Sequence, residues 1–188
     1  MEIDHAVRAG GDARLRAKYD AAVYVVRRAF ALYPRWRYGL PLETIRTDFK
    51  SGLETLLKKK PTKAIFLGTR NGDPNAVGQQ QFSPSSPGWP PFMRVNPILD
   101  WSYSDVWSFL LTCKVKYCSL YDQGYTSIGS IHNTVPNELL RDGAGGYKPA
   151  YMLSDGSLER AGRAKKTGKK AVAAKGVNSS APRQTSRL

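Results

Sequence analysis

The sequence of 188 residues has few of the residues that build disulfide scaffolds, structural zinc sites or membrane spans. Two cysteines, Cys113 and Cys118, are too few for a disulfide framework, and no His or Cys pair accompanies them at zinc-finger spacing. His5 and His132 are the only histidines, so a histidine-based nucleophilic mechanism has little to build on. No apolar run approaches the roughly 18 residues of a membrane helix, and the first residues contain no signal core. We therefore expect a reduced, soluble, cytoplasmic protein without membrane contact.

Acidic residues are missing from the end of the chain. Residues 164–188 carry seven of the +14 formal charges, and the other seven are on residues 1–163. A basic body attracts phosphorylated small molecules as readily as nucleic acid, so the charge alone identifies no partner. The Ala, Lys, Gly and Ser composition of residues 164–188 cannot bury a core, which predicts one domain at 1–163 and a disordered basic tail. The lysines of this tail leave open a binding module that contacts RNA or an import receptor.

Hydrophobic periodicity predicts the main elements. Apolar residues recur every three or four positions over residues 12–33 and again over 42–57, which indicates two amphipathic helices. Residues 64–67 and 95–99 are short apolar runs, typical of buried strands in a parallel sheet. Ser102 and the acidic residue three positions later predict the start of a helix that ends near Cys113.

A first candidate site follows the strand at 64–67. Gly68 lets a ligand approach the backbone, and Arg70 then presents a planar cation above the carboxyl edge of the sheet, where nucleotides bind in open α/β folds. Asp73 is placed to orient Arg70, to accept a hydrogen bond from a ribose or base, or to hold a hydrated magnesium ion. Residues 69–89 make a loop that compact domains seldom tolerate unless it binds something. By itself, Gly-x-Arg after a strand is more often a turn with a solvated arginine.

Aromatic residues from Trp89 to Trp101 form a second candidate site. Trp89 and Trp101 have flat faces that can stack on a heterocycle. The alternative is that Trp101, Trp107 and Phe109 fill the core, which we favour for the last two. Trp89 is a weaker candidate for the core, because it ends a polar loop.

A pair of arginines closes the third informative stretch, which begins at Tyr117. Arg160 and Arg163 are three positions apart, so on a helical turn both guanidinium groups face one side and can clamp a phosphate chain. Without further context, paired arginines are more often a solvated face.

The ordered motifs Gly-x-Arg-x-x-Asp-Pro, Trp-Pro-x-Phe-x-Arg-x-x-Pro-x-Leu-x-Trp, Tyr-Cys-x-Leu-Tyr-x-x-Gly-Tyr-Thr-Ser-x-Gly and Glu-Arg-x-Gly-Arg span residues 64–163. They resemble the FAD synthases, or FMN adenylyltransferases, of the PAPS reductase-like family. The resemblance implies an α/β, adenine nucleotide alpha hydrolase-like (Rossmann-like) fold with a parallel sheet. It also implies FMN and ATP as substrates, Mg²⁺ as cofactor, and a flavin-binding loop at residues 71–94. Asp73, Arg160 and Arg163 take the active-site positions, and Asp73 is the candidate magnesium contact. We expect substrate contacts from Gly68, Arg70, Asp73, Trp89, Arg94, Tyr125, Thr126 and Ser127.

The glycine-rich pyrophosphate loop of that family, Ser-x-Asn-Gly-Gly-Lys-Asp, has no counterpart in this sequence. The pair Gly10-Gly11 follows no strand and carries no Lys-Asp. We therefore expect an incomplete sheet, internally truncated near residues 34–42, or a split enzyme whose partner protein supplies the missing half. An inactive fragment that binds flavin or nucleotide is the alternative. A sulfonucleotide reductase relative ranks lower, because that chemistry needs a cysteine near the C-terminus and none lies beyond Cys118.

Overall fold

The computed structural model describes residues 3–32 and 44–163. The predicted truncation near 34–42 and the predicted tail at 164–188 lie outside the described residues. Within them, none of the helices is long and apolar enough to cross a bilayer. Four short 3-10 helices follow the last α-helix, at Ser119–Gln123, Glu138–Leu140, Ala150–Met152 and Gly156–Leu158. The α-helices and strands are α1 (Ile3–Ala9), α2 (Ala13–Leu32), α3 (Phe49–Lys59), β1 (Ala64–Phe66), β2 (Phe82–Pro84), β3 (Met93–Val95) and α4 (Tyr103–Thr112).

Helix α3 begins later than the predicted start at residue 42. The Asp48 carboxylate accepts hydrogen bonds from the amides of Lys50 and Ser51, both at 3.1 Å, and so caps the helix at that point. Ile45 precedes the cap and lies over the first turn, where a Cβ at Gly52 would collide with its side chain. Its apolar spacing therefore reflects packing against the helix from outside and not membership of it.

Strands β1, β3 and β2 form one mixed sheet in that order. β1 pairs with β3 in parallel, as the α/β prediction requires, while β2 pairs with β3 antiparallel. The prediction of an uninterrupted loop at 69–89 was wrong because β2 lies inside it. The strand predicted at 95–99 is also shifted to Met93–Val95, since the chain turns at Asn96, whose carbonyl accepts from the Leu99 amide.

Trp107 fills the core, as the sequence predicts. Trp107 is buried and makes edge-to-face contacts with four tyrosines, Tyr103, Tyr117, Tyr121 and Tyr151.

Trp101 is only 5% exposed and packs edge-on against Phe109 at 5.5 Å, so it fills the core and presents no free face to a heterocycle. Cys113 is buried against α1 and α2, whereas Cys118 is exposed.

Helix α4 confirms its predicted start. Ser102 accepts from the Asp105 amide, and the Asp105 carboxylate accepts from the Ser102 amide at 2.8 Å, which is a complete capping box. The same buried carboxylate accepts two hydrogen bonds from Arg14 on α2, at 2.9 and 3.2 Å. The cap thus also fixes α4 against α2, and α4 supports the segment that follows it.

Candidate functional site

The loop after β1 is built around Arg70. The Leu67 amide continues the parallel ladder to the Val95 carbonyl at 2.9 Å, and Gly68 follows at the carboxyl edge. A Cβ at Gly68 would meet only the end of Ile98, at 4.0 Å, so the space above this glycine is open. The Asp73 carboxylate accepts from the Arg70 amide at 2.8 Å and from its guanidinium at 3.2 Å. Of the roles considered for Asp73, orienting Arg70 is the one these contacts describe.

Arg70 also reaches a residue far along the sequence. Its guanidinium donates to both carboxylate oxygens of Glu159, at 2.7 and 2.9 Å, across 89 positions of the chain. The side chains of Arg70 and Glu159 are each 17% exposed and that of Asp73 is 27% exposed. Burial acts to lower the pKa of Arg70, but the hydrogen bonds and charge of Glu159, with those of Asp73, outweigh burial and raise the pKa. One cation is therefore held between two carboxylates, which joins the first motif to the last.

A buried polar network fixes the backbone on either side of Glu159. The Thr126 hydroxyl donates to the Glu159 carbonyl at 2.6 Å, and Asn137 donates to the Leu158 carbonyl at 3.0 Å. The Asn137 amide group also donates to the Thr126 hydroxyl at 3.0 Å. Asn137 is fully buried, and its side-chain oxygen accepts from the Leu139 amide at 3.2 Å. Every polar group in this network is satisfied, so the network is rigid.

The turn that follows Glu159 carries the paired arginines. The Arg163 amide donates to the Arg160 carbonyl at 2.9 Å, and the Val135 amide donates to the Gly162 carbonyl at 2.9 Å. Arg160 is exposed and Arg163 is half-buried. Neither guanidinium pairs with a carboxylate among the described residues. The turn therefore presents two uncompensated cations on a fixed backbone.

Arg163 lies against the backbone of Gly129, where a Cβ would collide with the guanidinium. Beside it is a cavity of about 230 Å³. The cavity is lined by Ile131, His132, Asn133, Thr134, Val135, Ala161, Gly162 and Arg163.

Two of the residues predicted for substrate contact lie on the β2–β3 hairpin. The Arg94 guanidinium donates to the Pro84 carbonyl at 3.2 Å and to the Ser86 hydroxyl at 2.8 Å. The Trp89 ring lies 5.7 Å from the Phe49 ring of α3, and Trp89 is half-buried. None of these contacts connects the hairpin to Arg70 or to the arginine turn.

Tyr125, Thr126 and Ser127 do lie at the network around Glu159. Thr126 is buried and bonded, and the residues on either side of it are half-buried. The site thus gathers Gly68, Arg70 and Asp73 from the first motif with Thr126 and the arginine turn from the later ones.

Two residues of this network, Glu159 and Asn137, were not among the predicted site residues. Glu159 stands beside Arg160 in the Glu-Arg-x-Gly-Arg motif, which was the available signal. Nothing local in the sequence indicates its pairing with Arg70, and nothing distinguishes Asn137 from other loop asparagines.

The donor set suits magnesium only as an ion that arrives with a nucleotide. Among the described residues, no three His, Cys, Asp or Glu side chains converge on one point. Magnesium usually takes one or two carboxylates, substrate phosphates and several waters. Asp73 already accepts from Arg70 with both oxygens, and its partial exposure leaves room for a water-mediated contact.

Comparison with known proteins gives a family match and several similar relatives. Residues 41–136 match the model of the phosphoadenosine phosphosulfate reductase domain. A probable FAD synthase of Schizosaccharomyces pombe is 48% identical over 128 residues, which cover 68% of this chain and 48% of the relative. A probable FAD synthase of Caenorhabditis elegans is 43% identical over 134 residues, covering 67% of this chain and 25% of the relative. The chain spans about half the length, or less, of these curated relatives.

Among solved structures, the chain is similar to the FMN adenylyltransferase of Candida glabrata in complex with FAD and inorganic pyrophosphate. The TM-score is 0.63 at 29% identity, and the match covers 74% of this chain and 62% of the other. The same enzyme with FMN and an ATP analogue matches with a TM-score of 0.62 at 29% identity, over 74% of this chain and 63% of the other.

Proposed function

The chain belongs to the phosphoadenosine phosphosulfate reductase domain family, and from this premise we propose that it is an FAD synthase that transfers AMP from ATP to FMN. The arginine turn carries the proposal. Arg160 and Arg163 make no ion pair among the described residues, and Arg163 lines the cavity beside the turn. The bonds of Glu159 to Arg70 hold the turn against the loop after β1. Two cations on a fixed backbone, next to the loop at the carboxyl edge of the sheet, suit a substrate that carries several phosphates.

The proposed reaction needs no covalent enzyme intermediate. An oxygen of the FMN phosphate attacks the α-phosphorus of ATP, the bond from that phosphorus to the bridging oxygen of the β-phosphate breaks, and pyrophosphate leaves with the electron pair. Negative charge spreads over the phosphate oxygens in the transition state, so alignment and nearby cations provide most of the catalysis. Arg160 and Arg163 supply the positive charge that stabilises these oxygens and are the catalytic residues of the proposal. Asp73 orients the loop after β1. Magnesium bound with ATP would neutralise further phosphate charge.

The other predicted residues take binding roles in this proposal. The open space above Gly68 admits the nucleotide backbone, and Arg70, held between Asp73 and Glu159, fixes the loop that lines this space. Tyr125 and Ser127 flank the buried Thr126 at the edge of the site. Trp89 and Arg94 place an aromatic face and a cation on the hairpin of the predicted flavin loop.

Single-arginine variants of the intact chain test this proposal. With FMN and MgATP, the unsubstituted protein is expected to form FAD, detected by chromatography. Arg160→Ala and Arg163→Ala should each lower kcat about 100-fold or more, a typical loss when a group that stabilises transition-state charge is removed. Arg141→Ala is the matched control, because Arg141 is exposed and bound to Glu138 outside the site. FAD formation that survives both site variants at the control rate would refute the assigned roles.

A further inference from the structure

The arginine turn is attached to the rest of the protein through the residue that precedes it. Both carboxylate oxygens of Glu159 are bonded to Arg70, and its carbonyl is bonded to Thr126. The peptide immediately before it is bonded to the fully buried Asn137. Glu159 is thus fixed at its side chain and at its backbone. The side chain of Arg160 beside it has no hydrogen-bond or ion-pair partner among the described residues.

We propose that Glu159 is a positioning residue, which holds the Arg160–Arg163 turn in a fixed position relative to the loop after β1 so that the two arginines can bind phosphate. The inference rests on the proposed function of the site, since it assigns the purpose of the turn to holding phosphates. Glu159 touches no substrate in this account. It acts through the Arg70 guanidinium, and its rigid partners Thr126 and Asn137 transmit the fixed position to the backbone of the turn.

Electrostatics alone would give Glu159 the opposite effect on anions. A carboxylate near the arginine turn repels phosphate, so its neutralisation in Glu159→Gln should tighten anion binding if charge were its only influence. The freed Arg70 would add a further attraction. If Glu159 instead holds the turn in place, Glu159→Gln loosens the two arginines and weakens anion binding, because the anion must then order the turn when it binds. The two accounts therefore differ in sign.

Binding of inorganic pyrophosphate, measured by isothermal titration calorimetry on the intact chain, separates them. Glu159→Gln is expected to raise the pyrophosphate Kd about tenfold, and to lower kcat for FAD formation by about 10- to 100-fold. Glu138→Gln is the matched control, since it removes the same charge from an exposed pair with Arg141. The control should leave both quantities unchanged.

A double variant tests the route through Arg70. If Glu159 acts by holding Arg70, the Arg70→Gln, Glu159→Gln protein should be no worse than the poorer single variant, because partners in one interaction are not additive. Thr126→Val gives a second, uncharged route to the same loosening, through the lost bond to the Glu159 carbonyl. It should raise the pyrophosphate Kd in the same direction.

The outcomes distinguish this inference from the proposed function. Pyrophosphate binding that weakens in Glu159→Gln and Thr126→Val, with no FAD formed by the unsubstituted chain, supports the positioning role and refutes adenylyl transfer. A Kd that stays the same or falls in Glu159→Gln overturns the positioning role even if the unsubstituted chain makes FAD. No measurable pyrophosphate binding by the unsubstituted chain overturns the positioning role as well, because the turn would then hold no phosphate.

Discussion

The Arg163 guanidinium lies against the backbone of Gly129, and only a residue without a Cβ leaves room for it there. A Cβ at position 129 would collide with the guanidinium, which is the mobile end of a flexible side chain. The guanidinium can swing away at little cost to folding, but it then leaves the position beside the cavity. A side chain at position 129 should therefore change the activity and leave the stability nearly unchanged.

Gly129→Ala is accordingly expected to keep the unfolding temperature nearly unchanged while it lowers the rate of FAD formation, about 10- to 100-fold, through the displaced Arg163. Thermal unfolding and chromatographic FAD assays on the same preparation measure both quantities. Gly146→Ala provides the control outside the site, where a Cβ would meet the Asp142 carboxylate, and it should leave the rate per folded molecule unchanged. A variant that unfolds at lower temperature but retains its rate per folded molecule would contradict this role of Gly129.

At this scale the sequence was informative where partners are close along the chain. Orienting Arg70 was one of three roles predicted for Asp73, and the structure contains a contact between these two residues, which are three positions apart. Glu159 was missed because its bond to Arg70 depends on how the chain returns to the loop after β1. The burial of Asn137 has the same origin, since it is set by packing between segments and not by neighbouring residues.

Helices α2 and α4 are joined by one buried carboxylate. Asp105 caps α4 and accepts two hydrogen bonds from Arg14, while its own side chain is almost fully buried. Burial acts to raise the pKa of Asp105, but its bonds to Ser102 and Arg14 outweigh burial and hold the pKa below its ordinary value. A carboxyl group whose folded pKa is depressed adds stability above its unfolded pKa of about 3.9, and the contribution is lost as the pH falls through the folded value.

Asp105→Asn should therefore lower the free energy of unfolding at pH 7 by about 1–3 kcal/mol. The difference from the unsubstituted chain should begin to shrink as the pH falls below about 4, where the unfolded carboxyl group takes up a proton, and should be lost once the pH passes the lower folded pKa. Urea unfolding at a series of pH values measures this difference. Asp20→Asn, at an exposed residue of α2 paired with Arg8, is the comparison and should have a small effect throughout. An Asp105→Asn deficit that is constant with pH would exclude an ionic origin.

The elements that the sequence predicted well are those with local causes. The start of α4 follows from Ser102 and Asp105, which are three residues apart. Strand β2 was missed because its polar surroundings resemble a loop and only its pairing with β3 makes it a strand. The start of α3 was misplaced because Ile45 has helical spacing yet packs on the helix from outside.

At the scale of the whole molecule, the sequence contains no recognisable phosphate loop for the proposed adenylyl transfer. β1 lies at one edge of the described three-stranded sheet, and the chain spans about half of its S. pombe relative. The predicted partner protein that would supply a second half gains no support from the contacts or the relatives, and it stays a prediction. Within the described residues, the arginine turn and the cavity beside it are the features that we propose bind phosphate.

The high net charge does not determine which polyanion binds, so the local geometry of the arginine turn must do so. Half of the formal charge lies in residues 164–188, outside the described part of the chain. Within that part, some basic residues form ion pairs, among them Arg14 and Arg70. The unpaired cations of the turn are therefore set apart by their position more than by the overall charge.

The most direct test follows the α-phosphate of ATP. The intact chain is incubated with FMN, magnesium and ATP labelled at the α-phosphorus, and the products are separated by chromatography. Adenylyl transfer predicts that the label enters FAD, with one pyrophosphate released for each FAD formed. Folded protein that binds FMN but leaves the label in ATP, or releases it as free AMP, would contradict the account.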